Sequence, residues 1–414
     1  MRFSIACVVL CATTLVRVAR ADEPANVIVA PTALLQTDFQ VHPANTEGDT
    51  GFSLARFRLG AYSNPAPWLL ALAQFETSQS GGPASEATTE ILDAYVRIGP
   101  WHGFRLTAGY SRSPLFVSAR NELDGMSPFP ELSLPAKALW PGRDVGVEVH
   151  YTPSDLPIEA WLRVGNGNPS PFQNQYSQYA ITARVDATFG RGRIDATGKE
   201  RFGFRLGAAG LVNDTYDRAG IGGVTASAFP FYNPPVVTGI RRVIEVHALG
   251  YAGPFRALVE VGGAIEDRAS TSGNPAAPSA DPEVSRGGAV ELAWMITGEK
   301  RVSSVWPVAQ SKHPLAFDHV AFEVAARAER LDVGLGMRDF TPSGASAVAL
   351  SANAWLNQLL AVNVAGYYYH YDQAPIQEPT RTDSFLLLAR LTVYLNPPPL
   401  GPIGSARAPW LGVH

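Results

Sequence analysis

The feature that most limits this chain is a two-residue rhythm of polar and apolar side chains. Alternating short turns and long loops break it into about sixteen segments. Successive side chains of a β-strand point to opposite faces, so such alternation gives each strand one wet face and one dry face. Arg56-Phe57-Arg58-Leu59, Asp93-Ala94-Tyr95-Val96-Arg97 and Asp144-Val145-Gly146-Val147-Glu148-Val149 each divide charged from aliphatic or aromatic groups in this way. The pattern predicts strands near 33–41, 52–62, 67–77, 90–98, 103–111, 143–152, 157–166, 177–189, 203–212, 239–251, 254–265, 284–297, 317–330, 346–357, 359–371 and 382–395. Sixteen antiparallel strands close into a cylinder too wide for side chains to fill, so the polar face lines water and the apolar face meets lipid. The fold class is therefore all-β, a transmembrane antiparallel β-barrel.

The connections carry the same message. Ser63-Asn64-Pro65-Ala66, Gly99-Pro100-Trp101-His102, Pro153-Ser154-Asp155-Leu156, Ala252-Gly253 and Asn357-Gln358 turn within a few residues, whereas 112–142, 167–176, 213–238 and 266–283 wander. Short turns at the periplasmic end and long loops outside are the asymmetry of outer-membrane barrels. The connections 190–202 and 298–316 break the rule, being long where short turns are expected. Tyr62 with Trp68, Trp101 with Phe104, Phe189 with Phe204, and Tyr251 with Phe255 flank periplasmic connections and predict an aromatic girdle there.

Met1-Arg2-Phe3, the apolar run from Ile5 to Val16 and Ala19-Arg20-Ala21 together read as a secretory signal over residues 1–21. The barrel is assigned to 22–395 and a C-terminal tail to 396–414. Both cysteines, Cys7 and Cys11, fall in the signal, so neither a disulfide nor a thiolate metal site is expected in the mature chain. Charged residues make up 17%, below the roughly 25% of soluble domains. Without Arg2, Arg17 and Arg20 the 33 basic residues fall to 30 against 37 acidic ones, a mature net charge of about −7. Nucleic acid is an unlikely partner for that balance, and no spacing calls for a metal or cofactor.

Short motifs spread along the barrel resemble the phosphate-selective porin O and P family. They are Arg56-Phe57-Arg58-Leu59-Gly60, Asp93-Ala94-Tyr95, Arg143-Asp144-Val145-Gly146, Asn166-Gly167, Thr297-Gly298-Glu299-Lys300-Arg301, and Ala321-Phe322-Glu323-Val324-Ala325-Ala326-Arg327 followed by Leu331-Asp332-Val333. The resemblance implies a sixteen-stranded, often trimeric channel in the outer membrane of a Gram-negative bacterium, passing small anions, phosphate or polyphosphate among them. Phosphate-specific members are described as using lysine ladders. This chain has only Lys137, Lys199, Lys300 and Lys312, too few for one.

Strand parity sends Arg56, Arg58, Arg97, Arg105, Arg163, Arg184, Arg205, Arg256, Arg327 and Arg390 into the lumen as pore-lining candidates. The acids Asp93, Asp144, Glu148, Glu159, Asp186, Glu245, Glu260, Glu291 and Glu323 join them. Same-face pairs such as Asp93 with Arg97 and Glu159 with Arg163 are candidate salt bridges. The loop 112–142 is the candidate constriction, with Arg112, Arg120, Glu122, Asp124, Glu131 and Lys137 facing the arginine wall across a transverse field. Phe229, Phe231 and Tyr232 suggest either an aromatic slide or, better, a packed loop tip. Outer-membrane lipid, small anionic or polar solutes and two further copies of the chain are the expected partners. Two other classes are weighed against the passive channel: a structural or adhesive barrel with a closed lumen, and a barrel hydrolase built on His370 with Ser346.

Overall fold

In the computed structural model residues 29–395 are described except 44–49, 67, 80–86, 122–126, 154–155, 168, 173–177, 190–201, 270–279, 300–319 and 358. The signal 1–21, the tail 396–414 and most of the connections 190–202 and 298–316 lie outside the described residues. The strands are β1 (Val29–Val41), β2 (Gly51–Ala66), β3 (Leu69–Gln79), β4 (Ala87–Trp101), β5 (Phe104–Arg112), β6 (Arg143–Tyr151), β7 (Ile158–Gly165), β8 (Ala180–Phe189) and β9 (Phe202–Ala219). After the small β10 (Gly223–Val224) and β11 (Pro230–Tyr232) come β12 (Val236–Ala252), β13 (Phe255–Arg268), β14 (Ala280–Met295), β15 (Ala321–Leu335), β16 (Ser343–Trp355), β17 (Leu360–Tyr371) and β18 (Asp383–Leu395).

All but β10 and β11 join one closed barrel in sequence order. Every neighbouring pair is antiparallel, and the cylinder shuts where β1 meets β18, from Ala33 opposite Leu395 to Val41 opposite Leu387. Closure leaves no edge strand, which is the condition for a sheet to sit in hydrocarbon. All sixteen expected strands are present. Several run further toward the long-loop end than alternation predicts: β9 continues to Ala219, β12 begins at Val236, and β15 reaches Leu335. Asn213, Asp214, Thr215 and Arg218 are ladder residues of β9 rather than loop. They are polar on both faces, as a strand is once it rises above the lipid, so alternation could not mark them.

Parity holds around the wall. Val246, Val261, Leu292, Leu350 and Leu391 face outward and are exposed, while Glu245, Glu260, Glu291 and Arg390 face inward and are buried. A girdle forms at the short-turn end from Trp68, Trp101, Phe104, Phe189, Phe255, Trp294 and Phe322, all exposed on the outer face. Within it Phe104 stacks on Tyr151 at 4.3 Å and Phe255 on Trp294 at 6.0 Å. Tyr62, an expected girdle member, instead turns into the lumen and packs with Leu70, Leu72 and Tyr95. It shares inward parity with Arg58, two pleats along β2.

An arginine at Val246, in the middle of the outer face of β12, should destabilise the barrel by about 2–4 kcal/mol. Urea unfolding in lipid vesicles measures this, with the same change at loop residue Phe172, which is exposed, expected to cost far less. Equal costs at the two positions would place Val246 outside the lipid.

Candidate functional site

The described residues of 113–142, between β5 and β6, fold into the lumen. Their neck is closed by Ser113 N–H donating to Gly142 O at 3.0 Å and by Trp140 Nε1 donating to Ser113 O at 3.3 Å. From there the chain crosses to the opposite wall in two short helices, Val117–Asn121 and Leu134–Leu139. Ser133 caps the second helix, its Oγ accepting from Ala136 N–H at 3.4 Å, while Leu134 N–H donates to Glu329 Oε2 at 2.8 Å. The first helix is fixed by Ser118, which donates through its N–H and its Oγ to the Glu260 carboxylate.

The loop needs small residues beneath it. A Cβ on Gly262 would stand 2.8 Å from Phe116 Cζ, and one on Gly287 would stand 2.9 Å from Pro135 Cβ. Around these glycines Leu115, Phe116, Phe129, Leu134 and Leu139 bury themselves against Ala293, Ala325, Ala345, Ala347, Ala349 and Ala365 of the wall. The β12–β18 side of the lumen is thus dry and packed.

The tip of the loop is tied by a set of hydrogen bonds. Pro128 O accepts from Ser351 Oγ at 2.7 Å, Asn353 Nδ2 at 2.9 Å and Asn363 Nδ2 at 3.1 Å. Phe129 lies under the Arg327 guanidinium, 4.4 Å from its ring centroid. Glu131 follows, with Arg390 Nη2 at 2.7 Å, Arg56 Nη2 at 3.2 Å and Lys137 Nζ at 3.9 Å. Burial alone would raise its carboxyl above the usual range, yet Arg56, Arg390 and Lys137 hold it down to about 2. The expected gap between acidic loop and basic wall does not exist at this point. Glu131 bonds the wall arginines directly, because ion pairing across a dry contact is stronger than a field acting through water. Arg120 likewise bonds Glu148 at 2.7 Å, and Arg112 donates to Ala119 O at 3.0 Å. Glu122 and Asp124 lie outside the described residues.

A second loop, 220–235, also turns inward, which alternation gave no reason to expect. Lys137 Nζ donates to Thr225 O at 2.9 Å, joining the two loops, and Ala226 N–H donates to Tyr369 Oη at 3.0 Å. Phe231 stacks on Tyr371 at 5.5 Å, at the end of a ladder in which Tyr367, Tyr369 and Tyr371 follow one another at 6.0 and 6.2 Å. Phe231 and Tyr232 are buried, so this loop is packed rather than an open slide. A signal was available on the facing wall: stretches of β16 and β18 are largely apolar on both faces, as in Ala345-Ser346-Ala347-Val348-Ala349 and Phe385-Leu386-Leu387-Leu388-Ala389, and a strand dry on both sides has protein on both sides.

The charged wall pairs mainly across strands. Asp93 takes Arg143 at 3.1 Å and Asp144 takes Arg163 at 2.7 Å, while Glu159 lies 3.7 Å from His150 and 3.8 Å from Arg205. Expected pairs four apart on one strand, Asp93 with Arg97 and Glu159 with Arg163, give way to these because such residues stand about 13 Å apart, while adjacent strands are about 5 Å apart and strands one removed, as for Asp93 with Arg143 and Glu159 with Arg205, about 10 Å, within reach of two long side chains. Arg184 and Asp186, two apart, do bond, at 2.7 Å. Arg58 meets Glu76 at 2.5 Å, Arg256 meets Glu291, Arg327 lies 3.4 Å from Glu329, and Arg390 grips Asp38 at 2.7 Å. His247 sits between Asp186 at 3.3 Å and Glu245 at 2.7 Å. On the outer face Ser346 stands opposite His370 in register, and His370 Nδ1 lies 2.9 Å from Asp383. Ser346 Oγ is taken by Arg330 at 3.1 Å instead of by the imidazole.

The Glu131 anchor has a defined pH window. A depressed carboxyl pKa stabilises the folded loop fully above the ordinary glutamate value of about 4.3, and that contribution is lost as pH falls through about 2. The loop should therefore hold one position from pH 7 to about 4.3, and Glu131→Gln should loosen it already at neutral pH. Hydrogen exchange of residues 127–134 measures both, and equal protection in the variant would remove Glu131 as the anchor.

No family model and no curated protein matches the chain. Solved structures match over nearly its whole length. OmpT, an outer membrane protein of Vibrio cholerae, is 11% identical with a TM-score of 0.54, over 90% of this chain and 98% of its own. An anion-selective porin from Comamonas acidovorans is 10% identical at 0.53, over 89% and 100%. OprB of Pseudomonas putida is 8% identical at 0.55, over 90% and 94%. At these identities the likeness is one of fold, and the closed sixteen-stranded barrel with its apolar exterior belongs in the bacterial outer membrane.

Proposed function

We propose that this barrel is a passive channel for small hydrophilic solutes, with anions favoured, and that it carries out no catalysis. The observation that supports this is the division of the lumen. Loops 113–142 and 220–235 fill the β12–β18 side, while the β2–β9 side keeps a wall of arginines and carboxylates. The more accessible of these side chains, Arg56, His150, Glu159 and Arg205, are each between 18% and 24% exposed. A charged wall with water against it filters ions by sign. The hydrolase alternative is weakened by Ser346, whose Oγ accepts from Arg330 and, among the described residues, is not hydrogen-bonded to a base.

The chain is also proposed to be a homotrimer. Exposed Trp and Phe mark the short-turn end at or beside β3, β4, β5, β8, β13, β14 and β15, whereas the five consecutive strands β16, β17, β18, β1 and β2 carry Ala354, Leu360, Val393, Pro31 and Ala61 there. A flat aliphatic arc without interfacial anchors suits contact with another copy better than contact with headgroups. Light scattering in detergent should give three chains per particle; one chain would overturn the assignment.

One observation favours a second reading, a barrel whose lumen is shut: the apolar packing of the two loops against Tyr367, Tyr369 and Leu388. Current across a planar bilayer separates the two. The channel reading expects steady conductance, with a reversal potential in a salt gradient of anion-favouring sign. Arg56→Ala should shift that potential toward cations, because it leaves Glu131 less neutralised. A conductance-free barrel would leave the closed reading, and a cation-selective wild type would remove the anion preference. Block of chloride current by phosphate at low concentration would support the phosphate specificity that the family resemblance implies.

A further inference from the structure

Of the ten arginines assigned to the wall from sequence, eight have a carboxylate partner: Arg56, Arg58, Arg163, Arg184, Arg205, Arg256, Arg327 and Arg390. Arg97 and Arg105 have none among the described residues. Arg97 Nε donates to Thr107 Oγ1 at 3.3 Å, and its guanidinium lies over the Tyr95 ring at 5.3 Å. Arg105 Nη1 faces His150 Nδ1 at 3.4 Å, and its buried Nε has no hydrogen-bond partner. Both side chains are 9% exposed.

They are neighbours. Arg97 is in register with Thr107, two residues from Arg105 on the same face of β5, a diagonal of about 7–8 Å between backbones. The position is close to the short-turn end, since Phe104 beside Arg105 pairs with Trp101. Around them the charges are uneven. Glu159 is shared by His150 and Arg205, its charge also acting on Arg105, and Glu148 is held by Arg120. Two guanidiniums in one patch of wall, neither in a salt bridge among the described residues, repel each other and attract an anion.

Elsewhere in this lumen a guanidinium is answered by two carboxylate oxygens, as Arg390 by Asp38 at 2.7 and 2.7 Å and Arg184 by Asp186 at 2.8 and 2.7 Å. The apolar surroundings suit a ligand with a carbon body. Tyr95 lies under Arg97, and Trp161 is stacked on His150 at 4.4 Å with the Arg184 guanidinium 5.0 Å from its centroid, so aromatic groups line the patch with their faces already engaged. We propose that Arg97 and Arg105 form a binding site for a small organic carboxylate on the lumen wall near the short-turn mouth. The carboxylate takes paired N–H donors from the two guanidiniums, and its carbon part extends from them into the lumen. The site rests on the channel reading for its role, as a stop on the route of the solute, but its occupancy can be read without current.

The test uses the full chain in detergent and in planar bilayers, with benzoate as the probe and inorganic phosphate as the comparison. Calorimetry should show benzoate binding that falls at least tenfold in Arg97→Gln/Arg105→Gln, while Arg286→Gln on the outer surface leaves it unchanged. In bilayers benzoate should reduce chloride current reversibly in the wild type and not in the double variant. If benzoate binds but no current flows, the site stands and the channel reading fails. If current flows and benzoate neither binds nor blocks, the site is overturned while the channel reading stands. Phosphate binding as tightly as benzoate would overturn the carboxylate assignment. A circular dichroism spectrum matching wild type guards against misfolding, and the single variant Arg105→Lys, which keeps the charge but loses the fork, should weaken benzoate more than chloride conduction.

Discussion

The need to pair every backbone N–H and C=O within hydrocarbon governs this molecule, because an unpaired group there costs several kcal/mol. A sheet meets that need only by closing on itself, and the ladder from Ala33–Leu395 to Val41–Leu387 is where it closes. The rest follows in order. Closure fixes which face of each strand meets lipid, lipid fixes that face as Val, Leu, Ile and Phe, and the charges are left to the interior. Inside, arginines and carboxylates stand close enough across strands to pair, and removing one partner of such a buried pair costs about 3–5 kcal/mol.

A cylinder of this width cannot be filled by its own wall, so its loops settle what the interior becomes. Two of them come in on one side. Gly262 and Gly287 let Phe116 and Pro135 approach the wall closely, and a floor of alanines on β15 and β16 receives the apolar loop residues. The polar tip is then pinned by Pro128 O, which has three donors, and by Glu131, which has three cations. These loops leave uncovered the β2–β9 side, the proposed solute path, where most charges are matched and Arg97 and Arg105 make no salt bridge among the described residues. Local charge imbalance, rather than the total number of arginines, is what would give such a wall a preference among ions.

The barrel was legible because lipid imposes a period of two that the chain states in every strand, and because turns and loops alternate in length. The loop 112–142 was legible by its length. What escaped was anything decided between strands. Asp93 lies nearer in sequence to Arg97 than to Arg143, yet the strand order brings Arg143 of β6 across β5 to it. Tyr62 reads as a girdle residue from its place beside a turn, and its parity with Arg58 turns it inward. The infolding of 220–235 could be read only from its counterpart, the stretches of β16 and β18 that are apolar on both faces. Glu131 was named for its sign, but that it touches the wall depends on the path of a whole loop, which no local pattern encodes.

The account stands on a lumen whose β5–β9 wall is wet while the opposite face of the same strands is in lipid. Single cysteines introduced at Glu159 and Arg205, inside, and at Leu162 and Leu206, outside, read this directly in proteoliposomes. The inner pair should react with a charged, membrane-impermeant thiol reagent and the outer pair only with a lipid-soluble one. The reverse pattern, or inner cysteines inert to the charged reagent, would contradict a water-lined channel.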